Sequence, residues 1–546
     1  PDFAMLRPTV TLALLTVAFA IPLQSGGLFD ASVVQTAYGP VRGEVTSAYR
    51  AFRGIRFGND TAATRFAPPS APTPWSAVQD ATKFAASCPQ RCNLPPLTCP
   101  NVTSEDCLFL NVFTPTNVSS SEPLPVMAFI HGGRFEQGGA GAPIYEAGRM
   151  ASQGVVVVTF NYRLNIFGFL RTDEFDGNAG FHDQIFALRW IQANVKAFGG
   201  DPSKVTLFGQ SAGGASIAAF LASPYSSGSD ALFHRAIVES NPWAIRLRGT
   251  EDAHKYGEEF AKAAGCSKRD NRDCLRSKTP DELLDSEKKV KPFPEPYPLN
   301  LVMRWTPVAD GKTILQQPLE ALEKQAVPDM PLMMGTTLDD GRLFIFELSN
   351  KTLPPDEFDI ANVAIMGVGR AAKAISKYSP SGLTDTRPLM SQEATDFVFG
   401  CANRWAALRM VNVTQRKSPM YLYQWNKALS DGAVWGPSYP FCRGYACHAS
   451  ELPFVFQSAD QYMNADEKAL GAQVVQYWTS FAKSATADPN PTSGSLPKWS
   501  TFDSAALASL QIGHNETSIA ITTAKAYHQE TCDFWESENF YQTRDK

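Results

Sequence analysis

Residues 205–216 read V-T-L-F-G-Q-S-A-G-G-A-S. A β-branched and aromatic run stops at Gly209-Gln210-Ser211-Ala212-Gly213, and small, helix-compatible residues follow. This is G-x-S-x-G between an expected strand and an expected helix, the setting of a nucleophile elbow. A serine at the apex of so tight a turn has a strained backbone, and its neighbours two before and two after must be small for the segments to approach. The turn lifts the hydroxyl clear of the sheet, and the helix N-terminus behind it favours developing negative charge. A small-residue turn without chemistry would read the same locally, so the rest of a site has to be found.

Buried-type runs at 126–130, 155–161, 205–208 and 236–239 alternate with helical patterns, among them 179–197 and the segment after the elbow. This predicts a doubly wound α/β sheet. Further strands are expected at 331–335 and 420–424, and helices at 391–413 and 466–484. The surplus length reads as helical cap insertions within a single domain over 21–546. The chain has 546 residues, is 44% hydrophobic and 19% charged, and carries a net charge of −5 with no basic block. Nucleic acid is therefore not the expected partner.

Residues 1–20 read as a short extension and a secretory signal peptide. Met5-Leu6-Arg7 opens it, 10–19 are largely apolar, and Ala18-Phe19-Ala20 has the A-x-A form of a cleavage site. No stable membrane anchor is expected. Ten cysteines suit an oxidising compartment. Six N-x-S/T sequons, at Asn59, Asn101, Asn117, Asn350, Asn412 and Asn515, predict a secreted glycoprotein.

A serine needs a base, and the base needs an orienting carboxylate. On such sheets the chain order is serine, acid, histidine. His234 precedes strand 236–239 at the wrong end, His254 lies in a charged helix over 251–262, His514 lies in a sequon loop, and His528 precedes the C-terminal helix. His448 ends F-C-R-G-Y-A-C-H, a loop that a cysteine pair could close, and is the expected base. For the acid, G-T-T-L-D-D-G at 335–341 follows a strand. One of Asp339 and Asp340 is expected to cap the helix over 342–348 and the other to face the histidine. His131-Gly132-Gly133-Arg134-Phe135 follows strand 126–130 and has the form of an oxyanion loop, with glycines that let backbone N–H groups reach a carbonyl oxygen.

With F-R-G-I at 52–55, S-E-D-C-L-F-L-N-V at 104–112, N-Y-R-L at 161–164, F-G-G-D-P at 198–202 and C-H-A-S-E-L-P-F-V-F at 447–456, the chain resembles the type-B carboxylesterase/lipase family. The likeness runs from about Val33 to Trp535. It implies an α/β-hydrolase fold, with Ser211 as nucleophile, Asp340 as acid (where the family usually has glutamate) and His448 as base. It implies Gly133, Arg134 and Ala212 as backbone oxyanion donors, Arg134 standing where a small residue is usual. It also implies the disulfides Cys88–Cys107, Cys266–Cys274 and Cys401–Cys532, which leaves Cys92–Cys99 and Cys442–Cys447 as local pairs. Arg163 with Asp183 and Arg65 with Glu105 resemble the family's structural ion pairs. No metal or cofactor is expected.

Two departures argue against a choline ester. No aromatic residue lies between Cys88 and Cys107 to face a quaternary ammonium, and Gln210 is neutral where the cholinesterases carry an acid. With Phe135 and Trp243 as further pocket residues, the expected substrate is a small-molecule or lipid ester with an apolar acyl or aryl group. A biosynthetic acyl transferase and a non-catalytic adhesion protein are the alternatives. Oligomeric state is not readable.

Overall fold

The computed structural model describes residues 30–117, 122–266, 271–291, 297–412, 416–513 and 520–541. The expected signal peptide and the sequon asparagine Asn515 lie outside them. The described residues from Ser32 onward form one compact unit.

Its centre is a sheet of eleven described strands: β1 Glu44–Val45, β2 Tyr49–Arg56, β3 Phe109–Pro115, β4 Leu124–Ile130, β5 Val156–Phe160, β6 Gly200–Gln210, β7 Arg235–Glu239, β8 Leu332–Thr337, β9 Met420–Trp425, β10 Ser509–Ile512 and β11 Ile521–Ala524. Their order is β11-β10-β9-β8-β7-β6-β4-β5-β3-β2-β1. From β5 to β10 neighbouring strands are parallel, with antiparallel strands at both edges. The central strands are apolar on both faces, as parallel strands between helical layers must be. In β4, Val126, Ala128 and Ile130 join one core cluster, while Met127 and Phe129 join the other.

β5 lies on one side of β4 and β6 on the other, so the strand order reverses at β4–β6. A crevice outside the carboxyl ends of the strands opens at such a point. The turns after β4 and β6 there are the expected oxyanion loop and the elbow. Helix α1, Ala179–Asn194, precedes β6, and α2, Ala212–Leu221, follows it.

Two elements differ from expectation. β6 begins at Gly200, because the polar residues before Val205 remain extended and Gly200 pairs with Leu124. The single helix expected over 391–413 is broken. It starts as α3, Arg387–Ala394, widens to a π-helical turn at Thr395–Gly400, and resumes as α4, Cys401–Val411. Pro388 sets the earlier start, since proline suits the first turn of a helix. The helix expected at 466–484 is α5, Ala465–Lys483, begun by a capping box of Asn464 and Glu467.

The chain closes Cys88–Cys107, Cys92–Cys99, Cys266–Cys274, Cys401–Cys532 and Cys442–Cys447. Arg163 forks onto both carboxylate oxygens of Asp183 at 2.7 Å inside the core, and Arg65 pairs with Glu105. Asn101, Asn117, Asn350 and Asn412 are exposed, whereas Asn59 is half-buried and donates to Ser70. Among the described residues no helix is long and apolar enough to cross a membrane.

Candidate active site

Ser211 sits between β6 and α2 with φ 58° and ψ −121°, a backbone conformation costly for any residue with a side chain. Its N–H donates to the Glu239 carbonyl at 2.9 Å, which fastens the turn to the neighbouring strand. The elbow's glycines are a packing requirement. A Cβ on Gly213 would lie 2.0 Å from the Ile130 carbonyl oxygen, and one on Gly209 would lie 2.8 Å from the backbone of Gly213.

The expected acid, Asp340, opens α6, Asp340–Leu348, which follows β8. Asp340 is fully buried, and its Oδ1 lies 2.7 Å from His448 Nδ1. Its Oδ2 accepts from the Ser240 hydroxyl at 3.0 Å and the Thr337 N–H at 2.9 Å. Three hydrogen bonds thus aim the carboxylate at the imidazole. Ser240 was not legible as part of the site; its one sequence signal is its position directly after β7, at the strand's carboxyl end. Asp339 takes no capping role with its side chain. Its carboxylate accepts from Ala446 N–H at 3.0 Å, and its own N–H returns a bond to the Ala446 carbonyl, so it ties the acid turn to the base loop. His448 follows the loop closed by Cys442–Cys447, and its ring packs against Phe344 and Phe399 with centroids 4.9 and 5.3 Å away.

The group within hydrogen-bonding distance of His448 Nε2 is Gln210, whose Nε2 lies 3.0 Å away. The sequence marks Gln210 only as a neutral neighbour of the serine; its contact with the base appears in the fold. The oxyanion loop lies against this pair, since a Cβ on Gly132 would meet the Gln210 carbonyl oxygen at 2.8 Å and Ser211 Cβ at 3.0 Å. Among the described residues, no backbone carbonyl in a turn, loop or cap accepts from the N–H of Gly133, Arg134 or Ala212. His131 is buried beneath the loop, stacked on Tyr162, and burial lowers its pKa to about 4. It is held neutral at ordinary pH.

Two apolar chambers meet at Ser211, and Arg134 and Phe344 border both. One lies between Pro242, Ile245, Met303, Ile345, Met390 and Phe397. The other lies between Leu94, Leu97, Ile144, Leu343, Trp435 and His448. Two of the expected pocket residues turn away from these chambers. Phe135, at φ 60°, turns its ring inward onto Tyr162 and Phe169 and borders neither chamber. Trp243 is buried with its Nε1 on Asn403 Oδ1 at 3.2 Å; the turn sends Pro242 and Ile245 into the chamber and Trp243 away from it. Phe397, Val398 and Phe399, from the π-helical turn, line the first chamber in their place.

Behind the triad lie two buried carboxyls, Glu239 and Glu451. Glu239 accepts from Trp478 Nε1 at 2.7 Å through Oε1, while its Oε2 and both oxygens of Glu451 have no hydrogen bond to another described residue. Burial pushes Glu239 up to about 7 and Glu451 well above the carboxylate range, and the nearby Glu239 and Asp340 charges further oppose ionisation of Glu451.

Residues 30–535 match the carboxylesterase family. The chain is 36% identical over 452 residues to the "Crystal protein" of Dictyostelium discoideum, covering 82% of this chain and 80% of that one. It is 34% identical over 483 residues to the para-nitrobenzyl esterase of Bacillus subtilis, covering 86% and 92%. A solved PNB esterase structure superposes with a TM-score of 0.76 at 31% identity, covering 92% of this chain and 99% of that one, which carries the α/β-hydrolase fold. The chain belongs to the carboxylesterase family and is a carboxylic ester hydrolase.

Proposed function

We propose that the protein is a secreted serine esterase that cleaves apolar acyl or aryl esters through an acyl-enzyme, its mature chain of 21–546 folding as one domain. The observation that carries the mechanism is the Asp340–His448 contact of 2.7 Å beside a serine held at φ 58°. Asp340 fixes His448 with its Nδ1 proton inward, leaving Nε2 as the base. Gln210 yields Nε2 to the Ser211 hydroxyl as the ester enters. Ser211 Oγ attacks the carbonyl carbon, its proton passes to Nε2, and the oxyanion is received by the N–H groups of Gly133, Arg134 and Ala212. His448 returns the proton to the leaving alcohol oxygen, and water repeats the sequence on the acyl-enzyme.

The general acid must reach the leaving oxygen, so the alcohol belongs in the chamber bordered by His448 and the acyl group in the other. The first is lined almost wholly by carbon and the second mainly so, which supports esters apolar on each side of the scissile bond. Five disulfides and the sequons support export.

The test is a panel of nitrophenyl esters of rising acyl length, with a choline ester beside them, given to wild type and Ser211→Ala. Turnover of the apolar esters and none by the variant is expected. Undiminished turnover by Ser211→Ala, or a preference for the choline ester, would overturn the reading. Export is tested by the N-terminus of protein recovered from culture medium.

A further inference from the structure

Arg134 contributes a backbone N–H to the proposed oxyanion hole, and its side chain has no part in that. The guanidinium nevertheless has a fixed partner: Nη1 donates to Glu347 Oε2 at 2.9 Å, with both side chains mostly buried, at 21% and 16% exposure. Glu347 stands on α6, seven residues after Asp340, and two turns of helix place both on one face. Its Oε1 accepts from the Tyr439 hydroxyl at 2.7 Å, and Tyr439 lies in the segment that leads to Cys442 and His448. One carboxylate therefore joins the segments bearing the oxyanion donors, the acid and the base.

The linkage is unequally backed up. The acid helix and base segment are also joined by the two Asp339–Ala446 bonds and by Arg342 Nε to the Phe441 carbonyl at 2.6 Å. Among the described residues, the hydrogen-bonded link from loop 131–135 to that helix is Arg134–Glu347 alone. The loop also needs holding. Gly133, Arg134 and Phe135 have φ of 112°, 58° and 60°, a run that side chains disfavour and that relaxes unless its surroundings impose it.

We propose that Arg134 is a positioning residue: through Glu347 it straps the oxyanion loop to the helix that carries the triad acid, so that the two halves of the catalytic machinery keep register. The proposal rests on the serine mechanism above. A strap that sets oxyanion geometry acts on the transition state and little on ground-state binding.

The experiment uses Arg134→Ala, Arg134→Lys, Glu347→Ala and the double alanine variant. Arg134→Ala is expected to lower kcat about tenfold, a fraction of what losing an oxyanion donor costs, with KM within twofold. Its affinity for a trifluoromethyl ketone, which forms an oxyanion on the serine, should fall by the same factor. Arg134→Lys should recover most of kcat, and the double variant should be no worse than the poorer single one. If Arg134→Ala does not fold, Glu347→Gln carries the test, because it keeps an acceptor for Tyr439 and loses the ion pair; the same split is expected. Active wild type with kcat unchanged in these variants, a loss confined to KM, or additive losses in the double variant overturns the strap alone. Wild type inert to every ester overturns the mechanism and the strap together.

Discussion

Gln210 places its side-chain nitrogen 3.0 Å from His448 Nε2, the atom that takes the proton from Ser211 in the proposed mechanism. The residue before the nucleophile is thus in direct contact with the base. Replacing it by glutamate sets a carboxylate against the imidazole and favours the imidazolium. Gln210→Glu is expected to move the acidic limb of the kcat/KM profile up by about one pH unit. A profile over pH 4–9 checks this, and an unmoved limb would remove Gln210 from the base's environment.

The elbow's glycines should fail in a set order. Gly213→Ala drives a methyl into the Ile130 carbonyl at 2.0 Å, Gly209→Ala meets backbone at 2.8 Å, and Gly214→Ala approaches Asn241 and Glu239 at 3.2 Å. Backbone cannot yield as a side chain can, so Gly213→Ala should cost about 3 kcal/mol or more and Gly214→Ala about 1 kcal/mol or less. Thermal or urea melts rank them, and any other order contradicts the packing.

The buried carboxyls predict a pH dependence of stability. Glu239 ordinarily titrates at 4.5 and is pushed up to about 7 when folded. The folded state then binds more protons than the unfolded one, so this contribution is complete below pH 4.5 and is lost as pH rises through 7. Glu239→Gln cannot ionise. Relative to wild type it should gain on the order of 2 kcal/mol between pH 5 and pH 8. Urea melts at both pH values measure the difference, and parallel behaviour of the two proteins would refute it.

Opening the Cys442–Cys447 bridge tests how the base is held. The cysteines are five residues apart, so loop-closure entropy assigns the bridge about 2 kcal/mol. The double alanine variant should melt earlier by that amount and also lose kcat, because the loop ends at His448. A loss of stability with kcat intact would mean that Asp340 and the two phenylalanine rings hold the imidazole unaided.

What could be read in the chain depended on how far each signal reached. Ser211, the glycines around it and the alternation of strands with helices are local patterns, visible in a few residues. The order of acid and base followed from sheet connectivity. The aspartate pair resisted local reading, because what separates Asp339 from Asp340 is a bond to Ala446 more than one hundred residues away. Ser240, Glu347 and Glu451 were out of reach for the same reason: each acts through a partner that only the closed sheet supplies. Phe135 and Trp243 show the opposite error, since aromatic character near a site says nothing about which way a ring turns. At 395–400 the helical period itself misled, because apolar residues at helical spacing do not reveal a widened turn.

That turn has a consequence for how this enzyme's selectivity could diverge. In a regular helix, successive side chains point 100° apart, so three in a row cannot share one wall. The π-helical turn holds one surplus residue, and Phe397, Val398 and Phe399 all border the first chamber, with the Phe397 ring also stacked on Trp535. Removing a single residue there would restore ordinary winding and swing the following rings away from the chamber, among them the Phe399 ring that packs on His448. Substrate preference would then change by an insertion or deletion, a step in register that no point substitution within the wall reproduces.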